Sequence, residues 1–202
     1  MFITVEGIEG CGKSTLLAGL SERLRDRGGE IIVTREPGGT DVGDAVREIF
    51  LRTRLKPAAL TEAYLINAAR AQHVAELIIP ALARGATVLC DRFVDSTLAY
   101  QGYGRGIDLD LLRSLCETAS DGLIPDRTIV LDVPVSISRE RVRARHPEPD
   151  RMESEDEAFH IRVRDGFLDL ARTDPRYRVL DGTRTPEELV AAALDDILSL
   201  AS

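Results

Sequence analysis

The chain has 202 residues, 44% of them apolar and 30% charged, and carries a net charge of −8. That supplies enough apolar material for one compact domain with its own core. The negative balance disfavours bulk attraction to nucleic acid or an anionic membrane, so any basic patch for an anionic ligand has to be local. Cysteines at positions 11, 90 and 116 show no paired spacing, which argues against disulfides and a zinc site and fits a reducing compartment. No signal peptide, long apolar span, internal repeat or low-complexity stretch is read, and a cytoplasmic location is expected.

The first predicted element is a strand over 2–6. It runs into Gly7, Ile8, Glu9, Gly10, Cys11, Gly12, Lys13 and Ser14, with the spacing G-x-x-x-x-G-K-S. A glycine-rich turn of this length opens a ring of backbone N–H groups around a phosphate. Lys13 is then placed to reach the β- and γ-phosphates, and the Ser14 hydroxyl to ligate Mg²⁺. A plain strand-to-helix turn with a surface lysine would not require both glycines and an adjacent Lys-Ser. Cys11 is read as a small filler, with a reactive thiol as the alternative.

A helix over 14–26 follows, with Leu17, Leu20 and Leu24 on one face and Gly28-Gly29 as its stop. Then come a strand over 30–34, a turn-rich loop over 35–41, a short helix over 41–51 and a helical stretch over 60–84 expected to kink at Pro80. A buried strand over 86–90 ends at Asp91. The segments 96–103 and 109–120 read as helical, 127–132 as a strand, and 135–145 as a helix broken at 146–150. A helix over 155–171 and a strand over 177–180 precede a capping box, Thr185 to Glu188 with Pro186 at the first helical position. The closing helix carries Leu189, Ala193, Ile197 and Leu200 on one stripe.

This alternation predicts an α/β fold, a parallel sheet with helices on both faces, whose ligands lie at the carboxyl ends of the strands. Those ends read Glu6-Gly7, Thr34-Arg35-Glu36, Asp91-Arg92, Asp132 and Asp181-Gly182-Thr183. Asp91, after an apolar run, is suited to hold Mg²⁺ through water. Arg92, Ser96 and Tyr100 are four apart and would form a donor stripe on one helix face.

The stretches GIEGCGKST (7–15), TREPGGT (34–40), TEAYLINAARAQH (61–73), DRFVDSTLAYQGYGRGID (91–108) and RERVRARHPEPDRME (139–153) together resemble the bacterial thymidylate kinases. The resemblance implies a P-loop kinase fold of about five parallel strands, a single domain over 1–202 and a short arginine-rich lid at about 139–153. It implies transfer of the ATP γ-phosphoryl group to dTMP, giving dTDP and ADP for dTTP synthesis, with Mg²⁺ as cofactor and a homodimer packed through helices flanking the sheet. It places ATP against Gly7, Ile8, Glu9, Gly10, Cys11, Gly12, Lys13, Ser14, Thr15, Arg141, Arg145, Asp181, Gly182 and Thr183, and the metal at Ser14 and Asp91. For dTMP it implies Glu9 near the sugar, Glu36, Pro37 on the ring, and Arg47 and Arg92 on the phosphate. It also implies Ile66, Arg70 and Gln101 at the base with Ser96 nearby, and Tyr100 crowding the sugar 2′ position. Lys13, Asp91, Arg92, Arg145 and Arg151 are the implied catalytic set.

Two departures bear on mechanism. Where the family usually carries a phenylalanine that stacks on thymine, this chain has Ile66. Loss of an aromatic pair, worth about 0.5–1.5 kcal/mol, predicts weaker base binding. Tyr64 points elsewhere on the helix, and Phe93 is the candidate substitute. Some relatives also place an arginine inside the phosphate loop, in a slot that is Gly10 here. The lid offers Arg141, Arg143, Arg145 and Arg151 instead, with Arg145 the first choice for the transition state and Arg151 the second. Rival readings are a kinase for another nucleoside monophosphate and a P-loop switch. The latter lacks an Asn-Lys base-reading pair, since Asn67 is the only asparagine. His73, His146 and His160 read as surface or packing residues, and 103–106 as a flexible loop that could order with ligand.

Overall fold

The computed structural model describes residues 1–51, 55–145 and 150–200. Five strands, β1 (Phe2–Glu6), β2 (Ile31–Arg35), β3 (Thr87–Asp91), β4 (Arg127–Asp132) and β5 (Tyr177–Asp181), form one sheet in the order β2-β3-β1-β4-β5. Every pairing is parallel. β1 is central and buried throughout, so its side chains alternate between two covered faces. Ile3, Val5 and Leu89 join one core cluster, with Leu16 and Leu20 of α1 (Lys13–Arg25) and Leu189, Ala193 and Ile197 of α9 (Pro186–Ser199). Phe2, Val88 and Cys90 join the other, with Val74 and Ile78. The chain steps from β1 out to β2 and back to β3, then across to β4. The crevice therefore opens at the carboxyl end of β1, where Val5 pairs with Asp91 and Glu6 with Val130.

Most predicted elements fall within a residue or two of α1, α2 (Asp41–Leu51), α6 (Leu109–Ala119), α7 (Val135–Arg145), α8 (Glu157–Leu170) and α9. The capping box forms: Thr185 N–H donates to Glu188 at 3.0 Å, and Glu188 N–H donates to Thr185 Oγ1 at 3.3 Å. Leu200 departs from the predicted stripe and is 39% exposed, because α9 ends at Ser199. Where a kink is expected near Pro80, the helix widens. α3 (Ala59–His73) passes through a π-helical turn, Val74–Ile78, into α4 (Ile79–Ala83). Proline lacks an N–H and its ring presses on the carbonyl four residues back, and a wider turn relieves both. No helix among the described residues is long and apolar enough to cross a membrane.

The segment after β3 also differs from a plain helix. Arg92 has φ 71° and precedes α5 (Val94–Thr97), which widens into a π-helical run over Leu98–Gly104. α8 lies directly on that run. A Cβ at Gly166 would stand 2.6 Å from the Tyr103 ring, so only glycine lets the two backbones approach this closely.

Two buried acids anchor this corner. Asp95 accepts from Arg176 Nη2 at 2.8 Å and from the Tyr177 hydroxyl at 2.5 Å. Glu6 accepts from Phe93 N–H at 2.7 Å and from the Ser96 hydroxyl at 2.5 Å. Burial, reinforced by the nearby Asp95 charge, pushes Glu6 up from 4.5 to about 8. The folded protein then keeps a proton that the unfolded chain has already released, so stability falls as pH rises between those values. In urea unfolding at a series of pH values, the wild type is expected to lose stability relative to Glu6→Gln between pH 5 and pH 8. A pH-independent difference between the two would show that Glu6 ionises like an exposed carboxylate.

Candidate active site

The loop between β1 and α1 is wound around its own lysine. Lys13 is buried, and its ammonium donates to the carbonyls of Gly7 and Ile8 at 3.1 Å each. Gly10 has φ 69°, and a Cβ there would meet the Ser138 carbonyl oxygen at 2.6 Å. α7 thus packs against the loop too closely for any side chain in that slot. Ser138 Oγ donates to the Glu9 carbonyl at 2.6 Å, and Arg141 Nη1 donates to the Gly182 carbonyl at 3.0 Å. α7 is therefore tied both to the phosphate loop and to the turn after β5.

Arg92 crosses from β3 to this loop. It donates to the Gly7 carbonyl at 3.0 Å, to Ser96 Oγ at 3.1 Å and to Glu9 Oε1 at 2.9 Å, and lies over the Tyr100 ring. The expected Arg92–Ser96–Tyr100 grouping exists, although Arg92 reaches it from outside the helix. Burial opposes the charge on Glu9, but Arg92, Lys13 and the Tyr100 hydroxyl at 2.6 Å outweigh it and hold the carboxyl below its usual range. Asp91 lies on the same wall as Ser14, and its Oδ1 is buried without a partner.

These groups line a cavity of about 480 Å³, within the usual size of ligand sites, roughly 300–1,000 Å³. Arg35, Arg47 and Arg92 are among the guanidiniums on the same wall. Burial, together with Arg35 and Arg92, pushes Arg47 down from the usual arginine value. An anion seated among the three would relieve that repulsion. Pro37, Ile66, Phe50, Leu51 and Met152 supply apolar wall.

Of the residues singled out from sequence, Glu9 through Thr15, Glu36, Pro37, Arg47, Ile66, Arg70, Asp91, Arg92, Ser96, Tyr100, Gln101, Arg141, Arg145 and Gly182 lie on this wall. Gly7 and Ile8 lie behind it and contribute carbonyls to Lys13. Asp181 and Thr183 lie off it, bonded to one another at 2.7 Å. Arg151 is also off the wall: its Nε donates to the Phe50 carbonyl at 2.9 Å and its Nη1 to the buried Glu62 at 2.5 Å. A buried carboxylate is a stronger draw for a guanidinium than an open cavity. Arg145 does face the cavity, half-exposed and paired with Glu153 at 3.1 Å.

Arg70 is 1% exposed, and all five of its N–H donors are engaged, on Glu36, Asn67, Cys116, the Phe93 carbonyl and Thr97. A bond from Arg70 to a base requires exchange of one of these. Phe93 does not stand in for the missing aromatic, since its ring is fully buried against Phe2 at 5.0 Å. Phe50 is the aromatic that the sequence reading missed; it follows Val46 by four residues on the buried face of α2. His73 and His160 are buried behind this wall, packing residues as expected. His73 bridges Glu36 at 3.1 Å and Thr34 at 2.7 Å, and His160 Nδ1 stands 3.7 Å from Glu9. Ile66, Arg70 and His73 share one face of α3 by spacing alone, a signal for His73 already present in the sequence. His146 lies outside the described residues.

A family model described as thymidylate kinase matches residues 5–193. The chain is 52% identical over 192 residues to thymidylate kinase of Deinococcus radiodurans, covering 95% of this chain and 93% of that protein. It is 48% identical over 208 residues to thymidylate kinase of Trichlorobacter lovleyi, covering 98% and 97%. The crystal structure of thymidylate kinase from Ehrlichia chaffeensis superposes with a TM-score of 0.79 at 35% identity, over 98% of each chain. The parallel sheet, the glycine-rich loop around Lys13 and these matches over nearly the whole length have one reading: the chain belongs to the thymidylate kinase family and has its P-loop kinase fold.

Proposed function

We propose that this chain transfers the γ-phosphoryl group of ATP to the phosphate of dTMP, giving dTDP and ADP, and that it does so in the cavity described above. The observation that carries the reading is that Arg35, Arg47 and Arg92 line the same cavity as the loop around Lys13. A donor phosphate at the loop and an acceptor phosphate among the guanidiniums would thereby share one cavity. Phosphoryl transfer needs in-line positioning and positive charge around the moving group far more than covalent help.

In this reading Lys13 exchanges its two carbonyl partners for phosphate oxygens. Arg92 and Arg47 orient the acceptor, and Glu9 keeps Arg92 in place while facing the sugar with Tyr100. The orphaned Asp91 Oδ1 and the Ser14 hydroxyl suit Mg²⁺, which binds through one or two protein oxygens and otherwise through water and phosphate. Bound there, Mg²⁺ would neutralise phosphate charge. Arg145 supplies the lid cation to the transferring group, and Arg151 anchors the lid segment to Phe50 and Glu62. Pro37, Ile66 and Gln101 bound the base, backed by Arg70. One domain with a lid over 139–153, a cytoplasmic location and a homodimer covering the exposed apolar side chains of α2 and α3, such as Val42, Ile49, Leu60 and Tyr64, complete the proposal.

ADP release is to be measured with ATP, Mg²⁺ and a panel of dTMP, dUMP, UMP, CMP, AMP and GMP. Turnover is expected with dTMP and, about 10–200-fold less efficiently, with dUMP, since one methyl separates them. ADP release indifferent to every monophosphate would instead mark an ATPase coupled to something else. Lys13→Ala is expected to lower kcat about a hundredfold or more. Arg145→Ala is expected to lower kcat by a similar factor while the KM for ATP changes little; a raised KM at unchanged kcat would make Arg145 a ground-state binding residue. Ile66→Phe is expected to tighten dTMP binding about two- to tenfold, as read by calorimetry. No gain would mean that the base already has a stacking partner.

A further inference from the structure

Glu62, in the first turn of α3, is 1% exposed and lies behind the cavity wall. Its carboxylate accepts from Gln101 Nε2 at 3.1 Å, from Arg105 Nε and Nη2 at 3.2 Å each, and from Arg151 Nη1 at 2.5 Å. A carboxylate between two guanidiniums accepts hydrogen bonds and donates none. The Gln101 amide consequently has one favourable orientation, with its NH₂ on Glu62 and its carbonyl oxygen on the other side. Gln101 is fully buried on the cavity wall, and its Oε1 has no partner. A buried acceptor left unpaired is costly until a ligand donates to it.

We propose that Glu62 is a positioning residue for base selection: by fixing the Gln101 amide, it makes the wall present an acceptor and so demand an N–H on the base. The inference rests on the acceptor-site reading above. Thymine and uracil carry that N–H at N3. Cytosine carries a lone pair at N3, which would meet Oε1 as acceptor against acceptor. Selection against cytosine is thus built in part from a residue that never touches the nucleotide.

The test compares kcat/KM for dTMP and dCMP in the wild type, Glu62→Gln and Arg105→Gln. In Glu62→Gln the new side-chain oxygen remains with the arginines and its NH₂ faces Gln101. The Gln101 amide must then turn and offer its own NH₂ to the cavity. The dTMP-to-dCMP ratio is expected to fall about tenfold or more. Arg105→Gln loosens the same cluster but leaves the carboxylate beside Gln101, and is expected to keep the wild-type ratio. An unchanged ratio in folded Glu62→Gln, or an equal fall in both variants, overturns the proposal. The wild type alone supplies a second measurement: N3-methyl-dTMP, which lacks the N–H, is expected to bind about tenfold or more weakly than dTMP, and equal affinity overturns the proposal. A wild type inactive on dTMP would defeat the kinase reading itself, an outcome distinct from either of these.

Discussion

Arg92 leaves β3 in the left-handed region, at φ 71°, a conformation that costs a bulky side chain energy unless its surroundings hold it. The hold is visible. Glu6, at the end of the neighbouring strand, takes the next backbone N–H and the Ser96 hydroxyl, while the guanidinium itself spans to Gly7 and Glu9. β1 and β3 are adjacent in the sheet but more than eighty residues apart in sequence. This one crossing joins the phosphate loop and the segment after β3 in the wall of a single cavity.

The cations of the cavity divide by what they rest on. Arg70 rests on a buried carboxylate and has no donor to spare, so it is part of the frame. Lys13 rests on two neutral carbonyls, which phosphate oxygens outcompete because charge-assisted bonds are stronger. Arg47 donates to the Pro37 carbonyl, and burial with the Arg35 and Arg92 charges outweighs the pull of Asp91 and Asp150. Lys13 and Arg47 therefore hold the weaker partners, whereas Arg92 is paired with the Glu9 carboxylate. An overall charge of −8 is compatible with this because Glu9, Glu36 and Glu62 are spent on holding arginines in place.

Much of this was legible in the residues. The alternating apolar runs specified five strands, the capping box specified the last helix, and the glycine and Lys-Ser spacing specified the loop. Spacing on α3 joined Ile66 to Arg70 and would have joined His73 to both. Arg151 was not legible. A run of arginines looks alike in sequence, and only the buried position of Glu62 separates Arg151, drawn into the frame, from Arg145, left facing the cavity. Phe93 was equally opaque, because the left-handed turn at Arg92 redirects its ring into the core against Phe2.

Local chemistry and periodicity thus sufficed for the elements, the phosphate loop and the side chains at strand ends, since each depends on neighbours within a few residues. The order β2-β3-β1-β4-β5, the orientation of the Gln101 amide and the division of arginines between frame and cavity were decided by tertiary structure. Each of these depends on which buried group meets which across the fold, and a carboxylate such as Glu62, taken out of water, selects its partners by distance in space rather than by distance along the chain.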